Sequence, residues 1–319
     1  MLLSLVRRLA LSLLVVWLVT LLVFVSTEVL PGDALQVSLT ADEAAQMTED
    51  DLARRRAELG LDRPAATRYF AWLAAAVRGD FGKTIMGDAD VTQVIAYPLR
   101  NSLLLGGITA LVAIPVALAI GIAAAFWRGR TPDVAASTGA MLGYSVPEFA
   151  SGNFLILCFA IWIPLFPAMV TAFTNDPPLA LLGAAVLPVL TVVIGSIAHL
   201  VRLVRAGFIE SLNSDYVERA RLAGASEWRV VLRHALPASV IPALNSAALY
   251  IAGLLSGIIV VEKVFAYPGL GLVLIQAVEK REVAVVQAIS LAAAVIVIGM
   301  NLLADFAVMA VDPRARGSR

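Results

Sequence analysis

Six long apolar runs constrain this chain more than any other feature. They lie at about 9–30, 101–126, 134–165, 178–201, 238–261 and 284–311. A hydrocarbon core about 30 Å thick takes roughly 20 helical residues to cross, and each run is long enough. Backbone exposed to lipid must satisfy its own hydrogen bonds, so the runs predict an all-α polytopic membrane protein with six transmembrane helices. The polar residues agree. Only 15% of the 319 residues are charged, against roughly a quarter in soluble domains. The formal net charge of zero offers nothing to attract nucleic acid. One cysteine, Cys158, lies inside an apolar run, which excludes an internal disulfide and argues for packing rather than metal binding. No metal site is expected.

The first run follows Arg7 and Arg8 as a signal peptide would, but its some 22 residues exceed a signal core of about 7–15. It also lacks a small-residue cleavage site before Pro31, so it reads as a retained span. The third run is long and holds Pro147 and Pro164, which predicts a kink or an early end. Lysine and arginine in short connections set orientation. Arginines flank the first run, the 128–130 turn, the 202–233 connection and the C-terminus, whereas the opposite short connections hold only Lys263, Lys280 and Arg281. Both termini and the 202–237 connection are therefore expected in the cytoplasm, with 31–100 and 262–283 facing outward.

The outward stretch 31–100 reads as two short helices. "TADEAAQMTEDDLARRRAELGL" is expected to start at a Thr40 or Asp42 cap and to end at Gly60, and "RPAATRYFAWLAAAV" follows. "RGDFGKT" at 78–84 is a turn. In the second outward stretch, "LGLVLIQAV" is too short to span and is expected to be re-entrant or interfacial.

The polar segment 215–237, "DYVERARLAGASEWRVVLRHALP", is the anomaly. Asp215 is a candidate helix cap with Glu218 as its reciprocal partner. Gly224 tolerates a left-handed backbone at a helix end, and Ser226 is a candidate cap for a second helix that Pro237 closes. Helix, glycine break and helix, joined tightly to a span at each end, transmit force well. The face expected outside mixes Tyr216, Val217, Ala220 and Leu222 with charges. That composition suits a docking knob, or a helix pair lying among lipid headgroups.

Glu218-Arg219-Ala220, three residues, Gly224, nine residues and His234-Ala235-Leu236-Pro237 resemble the "EAA" signature of importer permeases of the ATP-binding-cassette (ABC) class, E-A-A, three residues, G, nine residues, I-x-L-P. Arg219 and His234 differ from its general form. "RHALP" and the match of Asp215, Tyr216, Val217, Ala220, Arg221 and Gly224 to "DYVxxARxxG" resemble the peptide-permease branch. "VLPGD" (29–33), "LGLDRP" (59–64), "RGDFGKT" (78–84), "SVPEF" (145–149), "VVEKVFAYPGLG" (260–271), "NLLADF" (301–306) and "DPRAR" (312–316) follow in that branch's order. "KREVAVVQA" (280–288) lacks the aspartate, aromatic and proline of the corresponding family stretch. The chain is similar to the B-type permease of a dipeptide, oligopeptide or nickel importer.

The resemblance implies a type I ABC importer permease fold in a bacterial inner membrane. It divides the chain into an N-terminal helix (1–30), an extracytoplasmic helical segment (31–100), a five-helix core (101–314) with a coupling segment at 207–237, and a tail (315–319). It implies four kinds of partner besides the bilayer: a second, C-type permease, two ATP-binding subunits and an extracytoplasmic substrate-binding protein. Tyr216, Glu218, Arg219, Ala220, Arg221 and Gly224 would dock on an ATPase, while His234, Leu236 and Pro237 would set how the segment joins the fifth span. The cargo implied is a di- or oligopeptide, with nickel or another small solute as the alternative.

This chain is expected to hold no cofactor and to catalyse nothing; ATP and magnesium would bind the partner ATPases. G-x-x-x-x-G-K-[ST] is absent, because "GDFGKT" at 79–84 lacks the first glycine at the required spacing. A membrane-embedded hydrolase could recruit His199, His234 and Asp305, but no HExxH or G-x-S-x-G motif occurs. A channel or secondary transporter is the other rival. Intramembrane polar residues are functional candidates by default. Asp305 has Asn301 one turn away, Glu148 follows Pro147 at a bend, and His199, Arg202 and Arg205 share roughly one face.

Overall fold

The computed structural model describes residues 2–29, 48–58, 62–85, 88–236, 247, 250–251, 253–254 and 257–311. In chain order the helices are α1 (Leu2–Val29), α2 (Glu49–Glu58), α3 (Ala65–Val77), α4 (Val91–Phe126), α5 (Thr131–Ser145), α6 (Glu148–Ile156), α7 (Pro178–Ala184), α8 (Val186–Leu212), α9 (Asp215–Leu222), α10 (Glu227–Val230), α11 (Leu270–Glu279) and α12 (Val283–Val311). α6 and α10 continue in wider π-type winding over Leu157–Trp162 and Val231–Ala235. Extended pairing among the described residues is confined to one bridge between Lys83 and Asp90. Among the described residues four helices are long and apolar enough to cross a membrane, or five spans if the bent pair α5–α6 counts as one.

Prolines decide where the expected spans depart from single straight helices. The third is broken, with α5 and α6 meeting at 98°. Pro147 supplies no N–H and its ring opposes the carbonyl four residues back, while Val146 before it takes the extended conformation (φ −93°, ψ 124°) that a following proline favours. The fourth is interrupted at Ala185. Pro188 sits in the first turn of α8, where a missing N–H is harmless, and its ring opposes the carbonyl of Ala184 at the end of α7. α8 then runs eleven residues past the expected end at 201. The second begins at Val91 rather than 101, so α4 is 36 residues long. That is about 54 Å, well beyond the hydrocarbon thickness. The expected fifth span at 238–261 lies mostly outside the described residues, as do Pro237, residues 30–33 and 59–61, and the 312–316 motif; residues 257–264 are helical.

The chain forms two compact units. The first comprises Met1–Ser102, Phe173–Asn175 and Pro268–Ile296. In it α3 packs on α1 through Tyr69, which shares a hydrogen bond with Thr20 (2.9 Å) and meets the Phe24 ring edge-on at 5.2 Å. Val91, Ile95, Leu270, Ala277, Val285 and Ile289 form its apolar core. Asn101, fully buried, donates its amide to the carbonyls of Pro268 (2.8 Å) and Thr174 (3.1 Å). The Ser102 hydroxyl accepts the Leu270 N–H at 2.8 Å, and Glu282 accepts the Ile85 N–H at 2.7 Å. α11 is a ten-residue apolar helix, too short to cross a bilayer, as its sequence requires. Of the helix expected between Thr40 or Asp42 and Gly60, both ends lie outside the described residues. α2 starts at Glu49, where Thr48 and Asp51 cap each other: the Asp51 N–H donates to the Thr48 hydroxyl and the Thr48 N–H to the Asp51 carboxylate, both at 3.2 Å.

The second unit comprises Leu103–Ala172, Asp176–Tyr267 and Val297–Arg319. Its core gathers Val192, Leu200, Val201 and Val204 of α8 against Leu105, Ala113 and Ala117 of α4 and against Leu254, Ile258 and Phe265. Small residues let the helices approach closely, as packing in lipid demands. A Cβ at Gly121 of α4 would lie 2.7 Å from Val204 of α8. A separate apolar cluster, at the far end of α8, joins Ala125 and Phe208 to Val217, Val230, Val231 and Ala235 of the polar segment.

Candidate functional site

The polar segment leaves α8 through a tight turn at Asn213 and Ser214. The cap position of α9 is Ser214, not Asp215, and its side chain makes no capping bond because the hydroxyl donates to the Ser211 carbonyl instead. Asp215 and Glu218 therefore occupy the first turn, where negative charge complements the free N–H groups of the helix start. Gly224 ends α9 as expected, at φ +83°. The Ala225 N–H reaches the Ala220 carbonyl (3.1 Å) and the Gly224 N–H reaches the Arg221 carbonyl (2.9 Å). That is a Schellman closure, and Ala220 and Ala225 pack together beneath it on the inner cluster. Ser226 is the cap position of α10, again without a side-chain bond.

The two faces of α9 separate cleanly. Val217 is fully buried, contrary to its expected place on the outer face, because it points with Ala220 at Phe208 and Val230. Tyr216 (45% exposed), Glu218, Arg219, Arg221, Leu222 and Gly224 face out. Ala220 is half-buried, as are His234 and Leu236 beside the buried Ala235. Pro237 lies outside the described residues. Two features escaped sequence reasoning. Arg221 pairs with Glu227 across the glycine break, Nε to Oε1 at 3.0 Å and Nη2 to Oε2 at 3.2 Å. Trp228 stands out at 65% exposure, edge-on to Phe126 of α4 at 6.3 Å. A tryptophan in the first turn of the expected second helix, right after Glu227, was the available signal. Tyr216, Leu222 and Trp228 thus put three large apolar side chains among charges on one short helical hairpin, a composition that fits a protein groove.

A second polar constellation links α5 and α8. Arg205 of α8 forms a forked pair with Asp133 of α5, Nε to Oδ1 at 2.6 Å and Nη2 to Oδ2 at 2.8 Å. The Gly129 N–H also donates to Asp133 at 2.9 Å. His199 and Arg202 share a bond of 3.2 Å one turn away. The expected common face of His199, Arg202 and Arg205 is therefore divided between a local contact and a cross-helix one. Glu148 opens α6, and Asp305 lies in α12 with its side chain outside the described set.

A family model described as the binding-protein-dependent transport system inner membrane component matches residues 117–317. The chain belongs to this permease family. The match takes in the end of α4 and all of α5 to α12, so the broken span and the polar segment both fall inside it. The permease is 34% identical over 313 residues to a Brucella ovis protein provisionally named a peptide permease, covering 97% of this chain and 98% of that one. It is 37% identical over 303 residues to the glutathione transport system permease protein GsiC of Escherichia coli K12, covering 94% of each. In three dimensions it resembles a chain of the inward-facing MetNI methionine ABC transporter, with a TM-score of 0.54 at 16% identity, over 68% of this chain and 96% of that one. The fold is that of a type I ABC importer permease. Multi-pass inner-membrane permeases of this family are transport components, which agrees with the apolar helices described above.

Proposed function

We propose that this permease is a peptide-importing transmembrane subunit, one half of a translocation pathway completed by a second permease. The observation that carries the reading is near full-length similarity to the glutathione permease GsiC, whose cargo is a small peptide. Two ATP-binding subunits dock beneath the pair and a substrate-binding protein delivers cargo from outside. Both termini and the α9–α10 hairpin lie in the cytoplasm, following the arginine bias of the short connections.

Tyr216, Glu218, Arg219, Ala220, Arg221 and Gly224 make the ATPase contact, and His234, Leu236 and Pro237 hold the hairpin to the fifth span. Leu222 and Trp228 extend the same surface. Closure of the ATPases on ATP pulls this hairpin, and the hairpin moves α8 through its short link at Asn213 and Ser214. Arg205 carries that movement into α5, so the cytoplasmic halves of two spans shift as one body, a rigid-body route to alternating access. The permease itself binds no nucleotide and catalyses no reaction. Its only G-K-T triplet, at 82–84, lies in a turn where Lys83 pairs with Asp88 at 3.0 Å, not between a strand and a helix as a phosphate loop requires.

Purification of the tagged permease with its natural companions, followed by reconstitution into vesicles, tests the reading. ATP-dependent accumulation of a short peptide, requiring a co-purified ATPase and binding protein, is the expected result. Accumulation of nickel instead of peptide moves the cargo to the alternative; accumulation with no ATPase present overturns the proposal.

A further inference from the structure

Glu148 occupies a position that packing alone does not call for. It is the first residue of α6, immediately after the break in the third span. α5 rises about 22 Å from Thr131 to Ser145, so Glu148 lies within the roughly 30 Å hydrocarbon thickness. Its carboxylate rests between two other helical stretches of the second unit, at glycine positions on each. A Cβ at Gly195 of α8 would fall 2.9 Å from the Glu148 Cγ, and a Cβ at Gly257 would overlap both carboxylate oxygens. Beside Gly195, the Ser196 hydroxyl is hydrogen-bonded to Tyr250 at 2.9 Å. Two spans therefore give up side chains where this carboxylate sits.

Among the described residues nothing in the notch neutralises it. Among the described residues Glu148 makes no hydrogen bond and no ion pair, whereas Asp133, in the same unit, has a guanidinium and two further donors. A carboxylate at membrane depth is costly unless a cation meets it, and such residues mark the paths of ions and substrates. Glu148 is half-buried, not sealed by the helices around it. The first turn of α6 leaves its N–H groups without helical partners. The break that exposes those groups is the kind of discontinuity on which transporters build midplane sites.

We propose that Glu148 is a transient binding site for the ammonium group of the transported solute, with Gly195 and Gly257 shaping the notch that admits it. The inference rests on the peptide-import reading, since a peptide with a free N-terminus carries that ammonium. A fixed carboxylate on the pathway would hold the cationic end of the cargo while the spans change access around it.

The test uses the complete importer in vesicles, with an alanine tripeptide as probe and a water-soluble carbodiimide added during turnover. The reagent activates a carboxylate, and an adjacent amine displaces the urea to leave an amide. Mass spectrometry is expected to find the tripeptide linked at Glu148, and not when the N-acetylated tripeptide replaces it. Glu148→Gln, which keeps the shape, is expected to lower tripeptide uptake about tenfold, the effect of one charge-assisted contact, while the binding protein still stimulates ATP hydrolysis. Gly257→Ala is expected to act in the same direction. Wild-type uptake by the Gln variant overturns the inference, and so does reduced uptake without an adduct at 148 in the wild type, which would mark a packing role. A wild-type complex that takes up no peptide fails the peptide reading itself and takes this inference with it.

Discussion

Asp133 and Arg205 form a two-bond fork between the start of α5 and the last third of α8, with the Asp133 side chain 7% exposed and the Arg205 side chain 29%. Only eight positions separate Arg205 from the turn at Asn213 into the α9–α10 hairpin. A forked guanidinium–carboxylate pair fixes direction as well as distance, which a lysine in that place does not. It joins two of the membrane helices, α5 and α8, through a pair of charged side chains, on the α8 segment nearest the hairpin.

Removing either partner leaves the other charge poorly solvated. Arg205→Ala or Asp133→Ala is expected to destabilise the purified permease by about 2 kcal/mol, less than for a fully buried pair because the arginine is partly exposed. A double-mutant cycle on detergent unfolding measures the coupling. Arg205→Lys is expected to recover less than half of it, and full recovery by lysine would refute the role given to the fork.

Gly224 separates conformation from charge. Its φ of +83° costs an L-residue about 1–2 kcal/mol, which asparagine tolerates best. Gly224→Asn is expected to retain much of the transport. Gly224→Asp has a similar shape but adds a negative charge at the end of α9, and is expected to abolish uptake while the permease stays in the membrane. Radiolabelled uptake with a membrane-fraction blot checks both. Normal transport by the aspartate variant would remove this turn from the docking surface.

Neighbouring residues on α9 are expected to fail differently. Val217→Ala opens a space under the hairpin against Phe208 and Val230, at a cost of about 1–2 kcal/mol, and should lower thermal stability. Tyr216→Ala and Trp228→Ala touch exposed side chains and should leave stability alone while weakening retention of the ATPase subunits at least several-fold. Co-elution from a size-exclusion column, run beside a thermal melt, reads both effects.

Asn101 holds the Pro268 turn and Thr174 by one amide. Asn101→Ala leaves two carbonyls without that donor and is expected to loosen the 268–282 stretch by about 1–3 kcal/mol. Hydrogen exchange should rise in α11 and at Glu282 and remain unchanged in α9. Uniform exchange throughout would show that the clamp is not local.

Much of this permease was legible in its residues one stretch at a time. Apolar runs of some 22 residues demand helices because lipid offers the backbone no other partner, so α1, α8 and α12 follow from composition and length. Gly224 announced a left-handed turn, Pro147 a break, and the 215–237 pattern a family. These are local properties, written in neighbouring residues. What residues far apart in the chain do to one another was not written there. Arg205 and Asp133 are 72 positions apart, and nothing in either stretch names the other. Val217 and Tyr216 are adjacent and equally compatible with a surface, yet Phe208 and Val230 bury one and leave the other in the open. Gly195 and Gly257 look like ordinary small residues for helix packing until the fold sets both against Glu148. Sequence decides which backbone can form; only the packed helices decide which side chains lose water, find a charge, or are left waiting for one.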